Sequence, residues 1–244
     1  MNKVTVAAII IILVAFGGLI AWTSINGANK IDFSKYDSSK AISASEDNGN
    51  IGDHVRGKED SEVIVVEYAD MQCEYCGMMM PKMSTLYKEY GDRAKFIFRH
   101  YPLSYHQNAI AAAAAAESAG SQGYFWEMLE TIYDNQSEWS GIKDTQQRTN
   151  TFAEYFDAVT DGKGNHDEFI RKLSDASVRK KIDFDHNLGK NNDSIDATPT
   201  IFVNGQKADP SDNSETIEGL AEKMIKEELT KRNIDAEPKK AEEE

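Results

Sequence analysis

Cys73 and Cys76 are the chain's two cysteines, and they sit in the stretch "DMQCEYCGMMMP", Asp70–Pro81. Thiols at this spacing can close a small disulfide ring and open it again, or they can grip a soft metal. What precedes and follows them bears on the choice. "EVIVVEYA", Glu62–Ala69, is a β-branched run of strand length. After Cys73, Met79, Met80, Met83, Leu86 and Tyr87 recur at helical spacings up to about Tyr90. Cys73 is therefore expected to open a helix that follows a strand. A helix start carries unsatisfied N–H groups and a partial positive charge, and both favour a thiolate. Cys73 would be the outer, attacking sulfur and Cys76 the inward, resolving one.

Three other readings stand beside exchange. An inert structural disulfide is weakly motivated, because so short a ring constrains little of the unfolded chain. A zinc site needs four ligands, and the sequence holds no second CxxC and no HxxxH. His54, His100, His106, His166 and His186 are scattered and read as surface or core residues. Copper(I) is the serious rival, because Met71, Cys73 and Cys76 fit an MxCxxC pattern of soft ligands. Copper chaperones of that pattern are small domains without a long helical insert, however, and most of these methionines fall at helical core positions. Exchange is the stronger reading, and no metal is expected.

The surrounding elements must place the pair. "AKFIFRHYPL", Ala94–Leu103, reads as a second strand, so strand, helix and strand form a right-handed βαβ unit with parallel strands. Helices are expected at about Gln107–Ala119, Tyr124–Asn135, Thr149–Val159, His166–Ser174 and Ala176–Leu188, with Asn165 and Ser174 or Asp175 as N-caps. The run Ala111–Ala116 fits the first of them, alanine being the best helix former. "TIFVNGQKAD" then reads as strand, Asn204-Gly205 turn, strand. An amphipathic helix over Ser214–Lys231 closes the domain, with Ile217, Leu220, Met224, Ile225 and Leu229 on one side. The order β-α-β, helical insert (about 107–189), β-β-α is that of an α/β thioredoxin fold with a helical insertion.

Pro199 is a second marker. In "DATPTIFVNG" it stands at the head of a strand, where proline would harm a central position. A cis Thr198–Pro199 bond in a tight loop accounts for it.

The ends read differently from the middle. Val4 to Trp22 is uncharged and apolar, and at about 1.5 Å per residue it nearly crosses a hydrocarbon core of about 30 Å. Residues 1–22 are expected to form an uncleaved signal anchor, a single transmembrane helix with Lys3 on the cytoplasmic side. Residues 23–57, rich in Ser, Asp, Asn and Gly, read as a flexible polar linker. The folded domain is expected over 58–231, and 232–244 reads as a charged, disordered tail. The net charge of −14 among 244 residues repels phosphate backbones and argues against nucleic acid.

"VEYADMQCEYC", "KFIFRHYPL", "HQNAIAAAAAAESAG" and "ATPTIFVNG", in this order over roughly residues 52–230, resemble the DsbA-like thiol–disulfide oxidoreductases, especially the membrane-anchored ones. The resemblance implies that Cys73 is the substrate-bonded nucleophile and Cys76 resolves it. It implies that Thr198 and cis-Pro199 face the disulfide, with the Thr198 backbone pairing an extended substrate. Glu67, on the strand before Cys73, matches the family's buried acid, a proton relay for Cys76, with Arg99 as its counter-charge. The sequence departs from the well-studied oxidase between the cysteines, where Glu74-Tyr75 replaces Pro-His. A carboxylate beside Cys73 disfavours a thiolate, although the Tyr75 hydroxyl could donate to it. Cys73 is therefore expected to be less acidic, and the protein less oxidising, than that enzyme.

The expected function is disulfide formation in exported proteins, outside the cytoplasm, through Cys73 and Cys76. The same site could run as a reductase or isomerase. Substrates would be cysteine-containing exported proteins, and a membrane redox partner would recycle the pair. No cofactor is expected, because no Gly-rich dinucleotide loop accompanies the fold.

Overall fold

The structure, a computed structural model, describes residues 31–210 and 215–239. The chain divides into two compact units, Met1–Lys35 and Tyr36–Glu244. Of the first, the described residues hold a 3-10 turn at Phe33–Lys35. The expected anchor, residues 1–22, lies outside the described residues. Among those described, no helix is long and apolar enough to cross a membrane.

The second unit is built on a five-stranded sheet of order β1-β3-β2-β4-β5. Strand β2 (Ile64–Ala69) leads through helix α1 (Glu74–Tyr90) to β3 (Lys95–His100). The two strands run parallel, with Glu67 opposite Phe98 and Tyr68 opposite Arg99. Both faces of this centre are covered, which is why its strands are nearly continuous runs of buried residues. On one face Val65, Ala69, Phe96 and Phe98 join the main core with the inner side of α1, whose Met79, Met80 and Met83 are buried. On the other face Val66, Tyr68 and Ile97 pack with Tyr101, Ile195 and Phe202.

Strand β4 (Thr200–Val203) pairs antiparallel with β2, and β5 (Gln206–Lys207) folds back on β4. Their turn uses Asn204 (φ 47°) and Gly205 (φ 78°), the left-handed pair that matches hairpin twist. Between β3 and β4 lie helices α2 (Ala109–Gly120), α3 (Phe125–Asp134), α4 (Gln136–Trp139), α5 (Thr145–Val159), α6 (His166–Lys172) and α7 (Ala176–Asn192). Asn165 and Asp175 cap α6 and α7 by accepting from the Glu168 and Ser177 N–H groups. Helix α5 begins four residues before the expected Thr149, because Asp144 caps it through the Gln147 N–H. The alanine run of α2 faces two neighbours. Ala112, Ala115, Ala116 and Ala119 enter the main core, while Ala113 and Ala114 pack on Val178 and Ile182 of α7. Small side chains let a helix be buried on both sides. Helix α8 (Ile217–Lys231), capped by Thr216, closes the unit.

The folded unit starts earlier than residue 58, and this corrects the expected linker over 23–57. Strand β1 (His54–Gly57) pairs antiparallel with β3, with Val55 opposite Ile97. Ahead of it Ile42 and Asn48 are buried, and Asp53 is buried in a charge cluster. Asp53 Oδ2 lies 2.7 Å from Arg99 Nη2, and Asp53 Oδ1 lies 2.8 Å from Lys181 Nζ. Lys181 also meets Asp185 at 2.7 Å. Arg99 donates to the carbonyls of Ser38 (2.5 Å) and Lys40 (2.7 Å), which pins the segment before β1. The polarity that suggested a linker is partly that of buried, paired charge. Part of the expected tail is placed too: Arg93 donates to the Asp235 carbonyl at 2.8 Å, and Ala236 packs on the main core.

Candidate active site

Cys73 is the N-cap of α1, with extended backbone angles (φ −73°, ψ 122°). Its carbonyl accepts the first helical bond from the Gly77 N–H at 3.0 Å. Its own N–H is tied back to the Asp70 carbonyl at 3.0 Å. The sulfur is thus held at the open end of the helix, and the Thr198–Pro199 bond facing it is cis. As a thiol, Cys73 donates to the Thr198 carbonyl at 3.5 Å. Both cysteines are in the dithiol form.

Their environments push them apart. Cys73 is drawn down from an ordinary 9.0 to about 5, chiefly because the Cys76 thiol donates to it. Burial opposes this, and the N–H groups of Cys76 and Tyr75 and the Thr198 side chain assist it. Cys76 is raised well above the ordinary value by burial and by the Cys73 sulfur beside it. One sulfur is poised as thiolate while the other keeps its proton, the division that exchange needs. The sign for the reduced fold follows. Cys73 contributes stability that is fully present above about 9 and lost as pH falls through about 5. Cys76, raised, costs stability only above the ordinary thiol range. Titrating thiolate absorbance of the reduced protein is expected to give a midpoint near 5; a midpoint at the ordinary thiol value would contradict this account.

Glu74 and Tyr75 act differently from expectation. The Glu74 side chain is exposed, so solvent screens its charge. The Tyr75 ring is 71% exposed, and what reaches Cys73 is its backbone N–H rather than its hydroxyl. Met71 is 2% exposed in the main core, and its carbonyl accepts from Gln136 Nε2 at 2.8 Å. Among the described residues, no three His, Cys, Asp or Glu side chains are grouped to hold a metal ion.

Glu67 is buried on the α1 side of the sheet. Burial pushes its carboxyl up to about 7, against the lowering effect of the Tyr87 hydroxyl, which donates to it at 3.3 Å. Arg99 is not its counter-charge. Arg99 lies opposite Tyr68, not Glu67, and successive strand residues face opposite ways. It therefore points to the far side, where Asp53 and the Tyr68 hydroxyl (3.0 Å) meet it.

Several residues that hold the site carried no signal in the sequence. Gln136 Nε2 donates to the carbonyls of both Met71 (2.8 Å) and Cys73 (2.9 Å). It passes close to Gly77, where a Cβ would stand 2.9 Å from Gln136 Oε1. Asn108 Nδ2 reaches the Trp139, Ser140 and Ile142 carbonyls, and its N–H donates to Gln72 Oε1 at 2.7 Å. The Asp70 carboxylate accepts from the N–H groups of Gln72 and Leu103, both at 2.7 Å, and meets His106 Nδ1 at 2.7 Å. The Tyr133 hydroxyl is buried without a hydrogen-bond partner among the described residues. Burial, then the nearby Cys76 and Glu67, hold its proton on.

Two hollows flank Cys73. A groove of about 610 Å³ is lined by Tyr75, Met78, Thr198, Pro199 and Ile217 among others. A cavity of about 710 Å³ on another side is lined by Cys73, Glu74, Tyr105, His106, Gln136 and Ser137. Tyr75, Met78 and Tyr105, 63–73% exposed, are the three most exposed large apolar side chains described, and all three line these hollows. A backbone carbonyl beside a cis proline, an apolar groove and a poised thiolate together suit an extended peptide that carries cysteine.

A family model described as thioredoxin matches residues 49–227. The fold is similar to that of oxidised BdbD from Bacillus subtilis, with a TM-score of 0.61 and 21% identity over 80% of this chain and 100% of that one. It is similar to alpha-DsbA1 from Wolbachia pipientis, with a TM-score of 0.53 and 21% identity over 74% of this chain and 94% of that one. At these identities the likeness is one of fold. The chain is also 36% identical over 168 residues to a Na(+)/H(+) antiporter NhaA 1 from Salinispora arenicola, covering 68% of this chain and 24% of the antiporter. It spans about a quarter of the length of such curated relatives.

Proposed function

The chain belongs to the thioredoxin family and carries the DsbA-like form of its fold, and from there we propose that it is a thiol–disulfide oxidoreductase that forms disulfides in exported proteins. The observation that carries this reading is Cys73: a sulfur at the N-cap of α1, beside cis-Pro199, drawn down to about 5 while its neighbour Cys76 is pushed up.

In the oxidised protein, a substrate thiolate attacks Cys73 Sγ. The Cys73–Cys76 bond breaks, and its electron pair goes to Cys76 Sγ, which takes a proton. Glu67, with a carboxyl near 7 in the core behind α1, serves as the relay for that proton. Cys73 and the substrate are then joined as a mixed disulfide. A second substrate thiolate attacks the substrate sulfur of this bond, and Cys73 leaves. A sulfur of low pKa leaves fastest, so the poise of Cys73 favours release of an oxidised product. The Thr198 backbone pairs with the substrate peptide, and Pro199 keeps the loop open towards the sulfur.

The reaction belongs outside the cytoplasm, where disulfides persist. Residues 4–22 would tether the domain there, with the amino terminus in the cytoplasm. A membrane oxidant would then restore the Cys73–Cys76 bond. The test is the redox equilibrium of the purified protein against glutathione. Thioredoxin stands at about −270 mV and the strongest oxidase at about −120 mV, and the expected potential lies between them. A potential at or below the thioredoxin value would assign the site to reduction.

A further inference from the structure

His106 has no part in the exchange as written above, yet it is placed for one. It lies in the loop between β3 and α2, with Nδ1 2.7 Å from Asp70 Oδ2. Asp70 is 1% exposed, and the Gln72 and Leu103 N–H groups fix its carboxylate. A carboxylate only accepts, so Nδ1 carries the ring proton and Nε2 of the neutral ring keeps its lone pair. Among the described residues, nothing hydrogen-bonds to Nε2. The side chain is 20% exposed, and the Tyr105 ring packs edge-on against it, 4.5 Å between centroids. Both rings line the cavity that Cys73 also lines.

We propose that His106 is a catalytic base that takes the proton from the second substrate thiol, with Asp70 fixing its tautomer. This rests on the exchange reaction proposed above. An unperturbed thiol, with a pKa of about 8.5, is only a few per cent ionised at about pH 7, so a positioned base has a gap to close. In the mixed disulfide, the second substrate S–H gives its proton to His106 Nε2. Its sulfur bonds to the first substrate sulfur, and the bond from that sulfur to Cys73 breaks. The pair goes to Cys73 Sγ, which leaves as a thiolate, and the imidazolium later returns its proton to solvent. The oxidant is the Cys73–Cys76 disulfide, and the oxidised species is the substrate dithiol. The groups facing the ring suit a transient positive charge. They are the Asp70 carboxylate, Glu74, the Cys73 sulfur and the Tyr105 phenol, while α4 contributes only uncharged Gln136 and Ser137.

The experiment follows oxidation of a dithiol peptide by the full chain and by its His106→Gln variant across about pH 6 to 9, where both imidazole and thiol titrate. Near pH 7 the variant should lose about tenfold in kcat/KM, less than the roughly hundredfold or more typical of base catalysis, because a thiol is already partly ionised. The loss should shrink towards pH 9, where the peptide ionises unaided, while the glutathione equilibrium stays unchanged. In the unsubstituted protein, the acid limb of the profile should coincide with titration of the His106 ring followed by NMR. No loss, a loss equal at every pH, or an acid limb unrelated to that ring would overturn the proposal and leave the oxidoreductase reading standing. Failure of the unsubstituted protein to exchange with glutathione at all would overturn both.

Discussion

Replacing Cys73 with alanine is expected to reduce oxidation of a dithiol peptide to the uncatalysed rate, while Cys76→Ala is expected to trap intermediates. In oxidation Cys73 is the sulfur that is attacked and then leaves, and with a pKa near 5 it leaves as a stable thiolate at about pH 7, where a cysteine of ordinary pKa is only a few per cent ionised. Nothing else described can replace it, because Cys76 is 1% exposed behind it. In Cys76→Ala, Cys73 can still attack an offered disulfide, but no resolving sulfur remains. A mixed disulfide should then accumulate and be visible as added mass by mass spectrometry. The same variant should raise the Cys73 titration midpoint, because the Cys76 thiol is the strongest influence holding it down. If Cys76→Ala turns over freely without accumulating adduct, the division of labour between the two sulfurs is wrong.

The largest effect on stability is expected far from the cysteines. Asp53→Ala would leave Arg99 and Lys181 buried with one fewer carboxylate between them. Burial raises the Asp53 carboxyl, yet Lys181 and Arg99 outweigh it and hold the group well below the ordinary carboxylate range. Breaking a buried charge pair by removing one partner costs about 3–5 kcal/mol. Denaturant unfolding at neutral pH should show a loss of that size, whereas Asp60→Ala, at an exposed carboxylate with only a long 3.9 Å contact to Lys58, should fall within about 0.5 kcal/mol. Equal effects at the two positions would mean that water reaches the cluster. The prediction also carries a pH sign. Asp53 is depressed, so its contribution is present above the ordinary carboxylate range and lost under strongly acid conditions.

These residues also mark where the sequence is legible. Strand β2, helix α1 and strand β3 could be read because their patterns are local: a β-branched run, a 3.6-residue period and a second apolar run. The Asn204-Gly205 hairpin and Pro199 were legible for the same reason, since turn chemistry is written in adjacent residues. Strand β1 was not. It is four residues long, and what secures the segment before it is Asp53, which meets Arg99 46 positions away and Lys181 128 positions away. A charge that is buried because it is paired looks, in sequence, like a charge that is exposed. The expected pairing of Arg99 with Glu67 fails because two side chains on neighbouring strands share a face only in a particular register. That register, Tyr68 opposite Arg99, becomes visible only once the strands are paired. The pairing of Asp70 with His106 is illegible for a similar reason: a loop before α1 and a loop after β3 meet only because β2 and β3 run side by side.

Met78 has a consequence of another kind. Its neighbours Met79 and Met80 are buried in the core, while Met78 stands 63% exposed on the groove beside Cys73. Methionine in contact with oxidants becomes the sulfoxide, which turns a flexible apolar side chain into a polar one. Wherever oxidants reach the chain, its wear has a defined starting point. Met78 would be oxidised before the methionines that hold the fold. The chain would stay folded and its cysteines reactive, while the groove beside Cys73 lost apolar surface for a peptide to rest on.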